Sequence, residues 1–86
     1  MELENVCNQL KDYISEDILE GKSMGLTPTT PLLEWGIINS LEIVRLSNFV
    51  KTSMGVDIPS EKLVAENLET IETIGKMVLD LQKEMV

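Results

Sequence analysis

In the stretch Gly36-Ile37-Ile38-Asn39-Ser40-Leu41, one serine stands where a connection carrying Pro28 and Pro31 gives way to an amphipathic pattern. A serine hydroxyl at a helix start has two uses. It can cap the helix, a role worth roughly 1 kcal/mol. It can also be an attachment point, because the first helical turn presents unpaired N–H groups and the positive end of the dipole, which favour a phosphate held there. Asn39 is itself a good N-cap, with Glu42 three residues on in a variant of the capping box. That leaves the Ser40 hydroxyl free. Nothing nearby activates it as a nucleophile: the chain has no histidine, which excludes Ser-His-Asp and Cys-His activation and histidine-containing zinc sites. No pair of carboxylates sits in an apolar context that would raise a pKa for general acid work. The chain is expected not to be an enzyme and to hold no metal, so any modification of Ser40 must come from an external enzyme.

The elements that position this serine are bounded by composition. Eighty-six residues predict a single domain over residues 1–86, with a core of Leu, Ile, Val and Met, since Trp35, Tyr13 and Phe49 are the only aromatics. The single cysteine, Cys7, excludes an internal disulfide and fits a reducing compartment. No apolar run approaches the roughly 20 residues of a membrane span, and the N-terminus lacks a signal-peptide layout. A cytoplasmic protein without membrane insertion is expected. A net charge of -8 with only seven Lys and Arg residues argues against nucleic acid, whose phosphates need clustered cations.

Leu3, Val6, Cys7, Leu10, Ile14 and Ile18 recur at helical spacing and predict a first helix over 3–20, stopped at Gly21. Cys7 lies in that stripe and is read as a small core residue. Residues 22–38 form a long connection whose Leu26, Leu32, Leu33 and Trp35 should pack onto the helices, with Trp35 as a core anchor. A second helix is predicted over 40–54, ended by Gly55. Asp57-Ile58-Pro59-Ser60 reads as a turn, with Ser60 as cap of a short helix through Leu63 and Val64. A last helix starts near Thr70, with Ile71, Ile74, Gly75, Val78 and Leu81 on one face. Three long helices, one short helix and no strand signal predict an all-α four-helix bundle with a long loop between helices 1 and 2.

At about 100° per residue, Ile43, Leu46, Ser47, Val50 and Met54 share one stripe of the second helix, which must face the core. Leu41 and Val44 fall elsewhere, beside Arg45, Asn48 and Lys51. Isolated exposed apolar residues need no function, but two of them beside Ser40 make a docking patch, with Asn39, Leu41, Glu42, Val44, Arg45 and Asn48 as its residues.

On four blocks the chain resembles the acyl and peptidyl carrier proteins over nearly its whole length. They are Thr30-Pro31-Leu32, the run from Gly36 to Val44, Val56-Asp57-Ile58-Pro59, and Leu68-Glu69-Thr70-Ile71. The resemblance implies that the second helix is the recognition helix. It implies that a phosphopantetheinyl transferase converts Ser40 to a 4′-phosphopantetheine ester using coenzyme A. The arm's thiol then carries an acyl or aminoacyl group as a thioester, put on by an adenylating ligase or acyltransferase and used by downstream biosynthetic enzymes. A tethered cargo has a raised effective concentration at each partner's active site, and a monomer is expected. Two departures stand out. The family usually has Asp, associated with magnesium-assisted transfer, where this chain has Asn39, and an amide is a poorer ligand for a hard cation. The recognition helix, with Glu42, Arg45 and Lys51, is not acidic as in fatty-acid-synthesis carriers. This favours a discrete carrier of specialised metabolism, of polyketide or nonribosomal-peptide type. The alternatives are a housekeeping fatty-acid carrier, or an unmodified carrier-fold adaptor if Asn39 prevents modification.

Overall fold

A computed structural model describes residues 2–19 and 26–84. The predicted stop at Gly21, the last residue of the first predicted helix and the start of the long connection lie outside those residues.

Helix α1 (Leu3–Tyr13) runs on into a single π-helical turn (Ile14–Ile18), in which the Leu19 N–H donates to Ile14 O at 2.8 Å. Helix α2 (Ser40–Phe49) likewise ends in a π-helical turn (Val50–Met54), closed by Gly55 at φ 69°. Gly55 suits that position because it carries no Cβ to clash in the left-handed region. Helix α3 (Ala65–Leu68) is short, and α4 (Ile71–Glu84) is the longest. Among the described residues there is no strand. The all-α bundle with one short helix is therefore as the periodicity predicts.

The core follows the predicted stripes. Val6, Cys7, Leu10 and Ile14 on the first element meet Ile71, Ile74, Met77, Val78 and Leu81 on α4, with Leu46, Val50 and Met54 arriving from α2. Gly75 is buried in the contact between α1 and α4. A Cβ built there would stand 3.0 Å from Leu3 Cδ1 and 3.1 Å from Cys7 Sγ, so glycine lets the two helices approach. The Cys7 thiol donates weakly to Ile71 O at 3.9 Å. Burial pushes its pKa up, Glu72 adds to the rise, and Lys76 opposes it. A thiol held protonated in this way is a packing group rather than a nucleophile. At the far end of the bundle Tyr13 stacks on Phe49, with ring centroids 4.2 Å apart, tying the end of α1 to the end of α2.

Between the second helix and α4 the chain departs from expectation. Ser60–Lys62 is a single 3₁₀ turn preceded by Pro59, and the Ser60 side chain caps nothing. Val64 is extended, at φ -113° and ψ 157°. The predicted short helix is thus split, and its α-helical part lies downstream at Ala65–Leu68. The Asn67 side-chain amide donates to Lys62 O at 2.9 Å across the break.

Candidate functional site

The described part of the connection that delivers Ser40 is held against α4. Thr30 is buried, and its hydroxyl oxygen accepts from the Thr27 N–H at 2.8 Å. The Glu72 N–H, one of the donors left open at the start of α4, donates to Pro28 O at 3.0 Å, and the Leu32 N–H donates to Glu69 O at 2.8 Å. The start of α4 is itself closed reciprocally. The Thr73 N–H donates to Thr70 Oγ1 at 3.1 Å while the Thr70 N–H donates to Thr73 Oγ1 at 3.0 Å. These bonds satisfy backbone groups that would otherwise be orphaned at the helix end. They fix the loop against the last helix.

The next turn aims the chain at α2. The Ile37 N–H donates to Leu32 O at 2.9 Å and the Gly36 N–H to Leu33 O at 3.2 Å, with Gly36 at φ 70°. This pair of nested bonds around a left-handed residue is the Schellman arrangement, and it explains the glycine at position 36. Its usual hydrophobic contact partners, Leu32 and Ile37, are both buried. Ile38 is buried as well, so the chain is anchored up to the residue before Asn39.

Asn39 then caps α2. Its side-chain oxygen accepts from the Leu41 N–H at 2.9 Å and the Glu42 N–H at 3.3 Å. The Asn39 carbonyl receives the Ile43 N–H at 2.9 Å. No bond from the Glu42 side chain back to Asn39 is present among the described residues, so the capping box is half formed. Ser40 is the first residue of the helix, and it is exposed. No hydrogen bond of its hydroxyl is found among the described residues. The division of labour expected from the sequence is therefore present: Asn39 caps, and Ser40 presents a free hydroxyl at the positive end of a helix. A phosphodiester there would meet that dipole, the Ser40 N–H and open solvent, so the site fits a phosphopantetheine group.

Five of the predicted docking residues follow it along α2. Leu41 is 66% exposed and Val44 57%, while Arg45 and Asn48 are exposed and Glu42 is half-buried. Of the residues predicted to face the core, Leu46, Val50 and Met54 are buried, whereas Ile43 and Ser47 are half-buried at its edge.

Trp35 is a correction. Read from the sequence as a core anchor, it is 57% exposed. The inward positions of the connection are filled by Leu26, Leu32, Ile37 and Ile38. Trp35 sits at the end of the Schellman turn, outside them. Val64, which breaks the short helix, is a further exposed apolar residue. The signal for Trp35 was the glycine that follows it: a left-handed residue ends a turn, and the residue before it lies at the rim.

No family model matches the chain. It is 28% identical over 75 residues to a probable acyl carrier protein, PigG, from a Serratia species, across 87% of this chain and 86% of that protein. It is also similar to a chain in a crystal structure of an FAD-dependent dehydrogenase, with a TM-score of 0.77 and 36% identity over 81% of this chain and 99% of that one.

Proposed function

We propose that this chain, similar to a probable acyl carrier protein over most of its length, is a non-catalytic carrier whose Ser40 bears a 4′-phosphopantetheine arm. The observation that carries this reading is the exposed Ser40 hydroxyl at the first position of α2, with the capping role taken by Asn39. When attached, the arm supplies a thiol on which an acyl or aminoacyl group rides as a thioester. The protein's own residues then do three things. They hold the ester at a helix N-terminus, keep it in solvent, and offer Leu41, Val44, Arg45 and Asn48 to successive enzymes.

Those enzymes are a phosphopantetheinyl transferase, a loading ligase or acyltransferase, and downstream biosynthetic enzymes. We place an FAD-dependent dehydrogenase among the last group. The similar chain in such a crystal structure is about 70 residues long. A dinucleotide-binding fold needs a parallel sheet with flanking helices, which a chain of that length and likeness does not provide. A carrier role for the small chain is the simpler account. The neutral-to-basic charge of the second helix supports a specialised pathway over fatty-acid synthesis. No described helix is long and apolar enough to cross a membrane.

Incubation with coenzyme A, Mg²⁺ and a broad-specificity phosphopantetheinyl transferase should add one phosphopantetheine group to the intact mass. Ser40→Ala should abolish the gain; a labelled Ser40→Ala protein would move the site elsewhere. Asn39 favours one second reading, an unmodified adaptor. That reading predicts no labelling of the wild type by several transferases, with labelling gained in Asn39→Asp.

A further inference from the structure

A helix N-terminus leaves backbone N–H groups open, and one threonine cap covers one of them. At the start of α4 two threonines act as a pair. Thr70 Oγ1 accepts from the Thr73 N–H at 3.1 Å. Thr73 Oγ1 accepts from the Thr70 N–H at 3.0 Å and donates to Thr70 O at 2.9 Å. This is a capping box with threonine at the position usually held by Glu or Gln. The backbone it fixes is the backbone that holds the connection. Glu69 O accepts from the Leu32 N–H at 2.8 Å, and the Glu72 N–H donates to Pro28 O at 3.0 Å.

Glu69 O and the Thr70 N–H belong to one planar peptide unit, and in a trans peptide they point in opposite directions. A hydroxyl that fixes the N–H therefore also aims the carbonyl. Thr73 Oγ1 on one side and the Leu32 N–H on the other clamp this unit between them. Leu32 passes the constraint on. Its side chain is fully buried, and its carbonyl accepts from the Ile37 N–H at 2.9 Å. Ile37 and Ile38 are buried in turn, up to the Asn39 cap and Ser40. Resting on the carrier reading above, we propose that Thr73 is a positioning residue for Ser40. Its hydroxyl orients the Glu69–Thr70 peptide, which holds Leu32 and so the turn that sets where α2 begins. Among the described residues that hydroxyl bonds to Thr70 alone, so it acts through the backbone and not on a substrate. A misplacement of about 1 Å at a reacting group can cost on the order of 100-fold in rate. A small rotation of the clamped peptide is therefore enough to matter at Ser40.

Two variants separate the hydroxyl from the rest of the side chain. Thr73→Val keeps its size and branching and removes the hydroxyl, while Thr73→Ser keeps the hydroxyl and loses the methyl. The full chain is assayed with coenzyme A, Mg²⁺ and a purified broad-specificity phosphopantetheinyl transferase. Thr73→Val should lower kcat at least about threefold, with KM for the carrier little changed, and Thr73→Ser should recover most of the loss. A second readout needs no enzyme. Amide hydrogen exchange of the unmodified protein, followed by NMR, reports local opening residue by residue. In Thr73→Val the Leu32 and Ile37 amides should lose roughly tenfold more protection than the Leu10 and Val78 amides within α1 and α4. A general loss of stability would lower all four alike. A wild type that is not labelled overturns the carrier reading, and the exchange comparison then still decides whether Thr73 holds the turn before α2. A labelled wild type with unchanged kcat in Thr73→Val, or equal loss of protection at Leu32 and Leu10, overturns the positioning role. A Thr73→Ser protein as slow as Thr73→Val assigns the effect to the methyl and overturns it too.

Discussion

Asn39 is the residue on which structure and chemistry make opposite demands, and substituting it separates them. In Asn39→Ala both bonds to the Leu41 and Glu42 N–H groups are lost. Loss of an N-cap typically costs about 1 kcal/mol. The site is exposed, so water satisfies the freed donors and the cost stays near that value rather than reaching that of a buried orphan. For a domain of this size about 1 kcal/mol lowers Tm by roughly 4–8 °C. Asn39→Asp keeps the acceptor and adds a negative charge at the positive end of α2, gaining about 0.3–1 kcal/mol at low ionic strength. The sign with pH is fixed. The cap's N–H groups and the dipole hold the new carboxylate's folded pKa below its unfolded value of about 3.9. The gain is therefore present above that value and disappears as pH falls through the folded pKa. Thermal melts of the three proteins at pH 7 and pH 3 measure all of this. Transfer from coenzyme A supplies the second readout, since a carboxylate is the better ligand for Mg²⁺. Asn39→Asp should be labelled several-fold faster than wild type, while Asn39→Ala, without a charged ligand, gains nothing. A Tm in Asn39→Ala within 1 °C of wild type would refute the capping argument. An Asp protein labelled no faster than wild type would refute the magnesium argument and leave the cap intact.

Gly75→Ala should destabilise in the wild type, because the tight approach of its Cβ to Cys7 Sγ outweighs the roughly 1 kcal/mol gained in helix propensity. In a Cys7→Ala background the same change should cost less or stabilise, as urea titrations in a double-mutant cycle would reveal. The Cys7 thiol, with its pKa raised chiefly by burial and secondarily by Glu72 against the opposing Lys76, contributes stability that is full below the unfolded thiol's value of about 8.5. That stability is lost as pH rises through the folded pKa. The drop in urea midpoint on moving into alkaline pH should be smaller in Cys7→Ala. Gly36→Ala should cost about 1 kcal/mol, from the left-handed backbone alone since its Cβ meets nothing within 4 Å, and Gly36→Asn should cost less. Phe49→Ala should loosen the end of the bundle, and coupling to Tyr13→Ala of about 0.5–1.5 kcal/mol is expected for the stacked pair.

The sequence was legible where one physical rule acted alone. Helical periodicity placed α1 and α4, because their inward stripes pack against each other within one core. The Asn39 cap, the Gly55 stop and the exposure of Leu41 and Val44 followed from local backbone chemistry and a single helical wheel. It was less legible where two rules competed. Ser60 is a good cap by type, but Pro59 and the extended Val64 allow only a 3₁₀ turn before α3 begins. Trp35 is apolar and lies in a loop rich in apolar residues, so hydrophobicity assigned it inward. The Schellman turn at Gly36 decided otherwise, and periodicity carries no information about which of several apolar loop residues fill the limited inward positions.

That misplacement is also where the molecule differs most from a carrier defined by charge alone. A chain at -8 has acidic residues to spare, yet the start of α2 exposes Leu41, Val44 and an Arg45 with no ion pair among the described residues. Keeping an indole in water is unfavourable, by about 25 cal/mol for each Å² of apolar surface left unburied. The attachment serine and the surface that delivers it are set by the same short turn, Leu32 to Ile37, which points Trp35 outward and carries the chain to the Asn39 cap. A substitution that loosens that turn, such as Gly36→Ala, should thus impair presentation of Ser40.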